Sequence, residues 1–189
     1  MRFSERYRPP SFHSGTEHER SLFGEADVRG DEYDAEMKRL GADEQSHLKF
    51  GPALELVKKF QPSDDAENPS RPFFNDLRIE IVDVLEEFGV EADVRAYTAV
   101  GTPLDKYHGT DAFVEIEVGG QEVIVTFDAT LNPDKLQGGH KADLMVGDMP
   151  DPLDDSEEED KYLDEIRTLA IQAANKALNR FDEQVRRAS

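Results

Sequence analysis

The chain has 189 residues, no cysteine and a formal net charge of -20, from 42 Asp and Glu against 22 Lys and Arg. Without cysteine there is no disulfide framework, no thiolate zinc site and no cysteine nucleophile, and such acidity opposes a nucleic-acid backbone unless basic residues gather locally or cations intervene. Met1 to Arg6 holds no apolar signal core and no stretch approaches membrane-spanning length, so a soluble, cytoplasmic protein with no membrane partner is expected.

Residues 1–47 are polar and weakly patterned and are expected to form a flexible arm, with one helix around Asp34 to Leu40. Arg2, Arg6 and Arg8 are its basic cluster, a solvated terminus that can also touch phosphates. Residues 48–189 read as a single α/β domain with its core from about residue 72. Pro52 to Phe60 predicts a short helix with proline in its first turn, ended by Pro62 and followed by a polar link from Ser63 to Ser70. Phe74, Leu77, Ile81, Val84, Leu85 and Phe88 then recur at helical spacing, so Pro72 to Phe88 is expected to be a helix stopped at Gly89.

Val90 to Val100 predicts a strand, with Val94 and Ala96 alternating against Asp93 and Arg95 before Gly101-Thr102-Pro103 ends it. Two runs rich in Val, Ile and Phe follow, broken by Gly119-Gly120, which reads as a hairpin with a tight glycine turn. Antiparallel pairing brings Asp111, at the start of the first run, beside Asp128, at the end of the second. With period two, Ile124, Thr126, Asp128 and Thr130 share one face, while Val123, Val125 and Phe127 share the other. Two converging carboxylates suit a hard divalent cation such as Mg2+; a turn cap at Asp111 and a strand-end Asp128 are the plainer alternative.

Leu131 to His140 is a polar connection, and the apolar run from Ala142 to Val146 predicts a fourth strand. Asp151 to Asp160 is an exposed acidic loop, able to engage a basic protein partner. Ser156 and Glu159 stand in capping-box relation before a helix over 157–187, whose apolar stripe from Leu163 to Val185 must pack on the sheet and whose Arg180, Arg186 and Arg187 suit the helix dipole.

The succession helix, three strands, connection or helix, strand, helix, with Asp111 entering the second strand and Asp128 closing the third, resembles the PD-(D/E)XK nuclease superfamily, the restriction-endonuclease-like fold. The likeness runs from about Pro72 to Arg187. It implies an αβββαβ core with a central mixed sheet of about four strands flanked by helices, Mg2+ or Mn2+ held by Asp111 and Asp128, and a lysine that places or activates the attacking water. Thr130 stands where that lysine belongs, and a hydroxyl cannot offer positive charge to a transition state. Lys135 and then Lys141 are the candidates for a migrated lysine, and Glu80, on the first core helix, for a third carboxylate or plain surface charge. His108 lies beside the site and can serve a metal, a phosphate or a water, or be structural.

The function implied is a metal-dependent phosphodiesterase acting on DNA or RNA. The alternatives are a catalytically degraded nuclease-like scaffold that binds nucleic acid or protein, and an acidic interaction protein. Acidity of this degree also arises as an adaptation to high salt.

Overall fold

A four-stranded mixed sheet organises the chain, described here by a computed structural model over residues 15–63, 65–132, 141–151 and 156–188. Its strands are β1 (Asp93–Thr98), β2 (Ala112–Val118), β3 (Gln121–Ala129) and β4 (Leu144–Val146), in the spatial order β1-β2-β3-β4. The first three are antiparallel, and β4 runs parallel to the end of β3, pairing Phe127 with Leu144 and Ala129 with Val146. The expected hairpin is present. Gly119 and Gly120 turn it with φ of 57° and 81°, a pair of left-handed conformations that only glycine adopts cheaply.

Pleating then decides which residues meet which layer. Val94, Ala96, Val114, Ile116, Val123, Val125 and Phe127 point into one cluster, built with α1 (Gly15–Phe23), α4 (Pro72–Glu87) and α6 (Ser156–Ala188). Tyr97, Ala99 and Phe113 point into another, built with α2 (Asp31–Arg39), α3 (Phe50–Lys59) and α5 (Pro103–His108). The protein is thus mixed α/β, with helices on both faces of the sheet. Phe74, Leu77 and Ile81 of α4 are completely buried, each contributing about 1.5–3 kcal/mol by leaving water. α6 is held against α4 by its apolar stripe and by polar ties: Tyr162 Oη donates to Asp76 at 2.8 Å, and Arg167 pairs with Glu80 at 2.7 Å and with Glu87.

Residues 15–47 depart from the expected flexible arm. Leu22 and Phe23 of α1 and Tyr33 and Met37 of α2 are buried, with Phe23 packed edge to face on Phe74 at 5.1 Å. The core likewise begins before residue 72, since Leu48, Ala53, Leu56 and Val57 are buried in the second cluster. Each of these short helices hides only a few side chains, too sparse a stripe to stand out in a polar sequence. Arg2, Arg6, Arg8, Lys135 and residues 152–155 lie outside the described residues, while Ser156 to Asp160, expected within the acidic loop, already belong to α6. Among the described residues no helix is long and apolar enough to cross a membrane.

Candidate metal centre

The approach to β2 is set by α5, which the sequence reading passed over. Thr102 caps it, its Oγ1 accepting from Leu104 N at 3.2 Å, and Pro103 occupies the first turn. Asp105, three residues beyond the cap, reaches back past it to accept from Gly101 N at 2.9 Å, while the Thr102 N–H donates to Ala99 O at 2.9 Å. Thr102-Pro103-Leu104-Asp105 therefore carried a start signal for this helix. Gly109 ends α5 in the left-handed region, φ 61°, and its N–H donates to Asp105 O at 2.9 Å. That turn redirects the chain through Thr110 into Asp111.

Asp111 is 2% exposed. Its backbone N–H donates to Phe127 O at 2.8 Å and its Oδ2 accepts from Ala129 N at 2.8 Å. One register step beyond the Ala112–Phe127 pair it stands across from Asp128. Asp128 is half-buried and adds to the negative field on Asp111. Among the described residues the carboxylates that gather are a different set: Glu19 of α1, Asp105 of α5 and Asp111 each offer an oxygen, all within 4.8 Å of one another.

Burial pushes the Asp111 carboxyl up to about 8, with the Ala129 bond opposing and Glu19, Asp128 and Asp105 adding to the rise. Asp105 is also raised by burial, although its bonds to Gly101 N and to Asp111 oppose the rise. A hydrogen bond between two carboxyls needs a proton on one of them, and the more deeply buried Asp111 is the one that keeps it. A cation could substitute for that proton. The donors fit this role: they are carboxylate oxygens from three elements, suited to Mg2+ or Mn2+ rather than to a soft metal.

Glu19 reaches the cluster because α1 is anchored on the sheet. His18 Nε2 donates to Gly147 O at 3.1 Å, and Phe23 lies 6.5 Å from the Phe127 ring. No feature of the sequence around Glu19 announced a ligand, since its partners are some ninety residues away in the chain.

The other candidates occupy different surroundings. Thr130 is 6% exposed, its N–H donating to Val146 O at 2.8 Å and its hydroxyl accepting from Asn132 N at 3.1 Å. Lys141 Nζ donates to Tyr107 O at 3.0 Å, and its side chain lies 3.8 Å from where a Cβ would stand on Gly109. His108 is structural, its Nε2 donating to Leu48 O at 2.8 Å. Glu80 pairs with Arg167 between α4 and α6, on the face of the sheet away from α5. Asp143, which sequence reasoning missed, binds Arg180 at 2.6 and 2.9 Å and both the N–H and hydroxyl of Thr126 at 3.0 Å, locking the entry of β4 to β3 and α6. Comparison with known proteins assigns no family: no family model, curated protein or solved structure matches the chain.

Proposed function

We propose that the protein is a divalent-cation-dependent phosphodiesterase acting on DNA or RNA, with Mg2+ or Mn2+ held by Asp111, Asp105 and Glu19. The observation that carries the cation site is the burial of the Asp111 carboxyl within 4.8 Å of two further carboxylates. The phosphodiesterase part is supported by the PD-(D/E)XK-like placing of Asp111 before β2 and Asp128 near the end of β3, although α5 stands between β1 and β2, where that succession runs directly from strand to strand. A cation bound there supplies polarisation of a phosphate oxygen and a lowered pKa for an attacking water.

The side chains divide the remaining work. Asp111 holds a proton at neutral pH and gives it up to a cation, so metal uptake releases a proton. Asp105 is oriented by Gly101 N, which donates to its Oδ2 at 2.9 Å. Asp128, across the hairpin, adds negative field that favours a divalent ion over a monovalent one.

A second reading is a binding scaffold without catalysis, favoured because Lys141 is committed to Tyr107 O and the Thr130 hydroxyl to Asn132 N. Calorimetric titration with Mn2+ tests the site: wild type should bind, while Asp111→Asn and Asp105→Asn should each lose at least about tenfold in affinity. Equal binding by all three would refute the cation site. Incubation with single-stranded, double-stranded and branched DNA and RNA, in Mg2+ and in EDTA, separates the two readings. Cleavage that EDTA stops supports the phosphodiesterase; cation binding with no cleavage supports the scaffold.

A further inference from the structure

β4 covers only Phe127 to Ala129 of β3, so on that side the first half of β3 has no strand partner among the described residues. Side chains of α6 take the place of a strand. Arg180 donates to Ile124 O, and Gln184 Nε2 donates to Glu122 O at 3.3 Å. Between this edge and α6 lies a groove of about 460 Å3, lined also by Phe50 and Lys141, within the ~300–1,000 Å3 typical of ligand clefts.

The charge of the groove contrasts with that of the chain. Its three acids are each met by a cation: Asp143 by Arg180 at 2.6 Å, Glu183 by Arg187 at 3.4 Å, and Glu122 at 3.3 Å by Lys58, which also pairs with the buried Glu115. Among the described residues Lys141 meets a carbonyl instead of an acid, and Lys176, in the adjoining cleft, stands 3.9 Å from an Asp143 already gripped on both oxygens. The three acids that line the groove are thus balanced by its three cations, Lys141, Arg180 and Arg187, in a protein of net charge -20. Arg187 is mostly exposed, its side chain 81% accessible, and loses little by exchanging Glu183 for another anion.

Phe50 supplies the apolar element. It opens α3, is 43% exposed, and its ring is set at 80° to the His108 ring with centroids 5.5 Å apart. An exposed aromatic beside cations and a side-chain amide is the combination by which proteins hold unpaired bases and their phosphates. A duplex hides its base faces and would leave Phe50 unused.

We propose that this groove binds single-stranded nucleic acid, with a base stacked on Phe50 and phosphates on Lys141 and Arg187. The proposal deepens the phosphodiesterase reading by specifying the form of its substrate, and rests on that reading only for the cleavage of what is bound. The Lys141 side chain lies beside Gly109, two residues before Asp111 in the chain.

Fluorescence anisotropy tests it, using labelled oligo-dT, oligo-U and a DNA duplex, in EDTA and in Ca2+, at low and at moderate ionic strength. Wild type should bind one or both single strands more tightly than the duplex. Phe50→Ala and the pair Lys141→Glu, Arg187→Glu should each weaken that binding by about tenfold or more, with circular dichroism unchanged because the replaced side chains are exposed. Lys161→Glu, at the other end of α6, should change little. Equal single-strand affinity in wild type and groove variants, preference for the duplex, or no binding in any buffer overturns the proposal. Mn2+ binding through Asp111, measured separately, then shows whether the cation site survives that failure; loss of Mn2+ binding in Asp111→Asn with intact groove binding is the reverse case.

Discussion

The Oδ2 of Asp111 accepts the Ala129 N–H at 2.8 Å, so a carboxyl at the approach to β2 takes the place of a backbone acceptor at the end of β3. The same side chain therefore closes the hairpin and contributes to the acidic cluster. Its charge state links the two roles.

Folding of the metal-free protein should carry a pH dependence from this group. Its folded value is raised from 3.8 to about 8, so the folded chain binds the proton more tightly than the unfolded one. The stability this contributes is fully present below about pH 4 and is lost as pH rises to about 8. Asp105, also raised, acts in the same sense. Urea denaturation of wild type and Asp111→Asn across this window should show wild type losing stability relative to the variant as pH rises. A constant difference would contradict the raised value.

Asp143 should behave oppositely. Burial alone would raise it, but Arg180 and Thr126 hold its carboxyl below the usual range, so its contribution is present at neutral pH and lost as pH falls through its folded value. Asp143→Ala leaves Arg180 without its carboxylate and should cost about 2–4 kcal/mol. Thermal denaturation at neutral pH checks this, and Thr126→Val should cost about 1 kcal/mol.

Restoring a lysine at position 130 should fail. Thr130 is 6% exposed and its hydroxyl is used by Asn132 N. Thr130→Lys removes that acceptor and forces a long cation into a closed space, at a cost of about 1–3 kcal/mol. A lower melting temperature without faster hydrolysis is the expected result.

Glu80→Gln should leave Mn2+ affinity unchanged, because Glu80 serves the α4–α6 ion pair. The pair is partly exposed, so the stability change should be about 0–1 kcal/mol. Calorimetry and denaturation on the same variant measure both.

Local pattern by itself determined much of this protein. The apolar spacing from Phe74 to Leu85 specified α4, the glycine pair at 119 and 120 specified the hairpin, and period-two alternation assigned Val123, Val125 and Phe127 to one face. Those signals are readable because a helix stripe or a strand face repeats within a few residues. That Asp111 and Asp128 fall at the same end of the hairpin also followed from sequence, since a hairpin's register is local. The remaining carboxylates were decided only by tertiary structure. Glu19 arrives because α1 docks on the Phe127 end of the sheet, and Asp105 because α5 turns at Gly109 back toward β2. Docking of one element on another depends on shape and burial summed over distant segments, and leaves no periodic trace in the sequence of either.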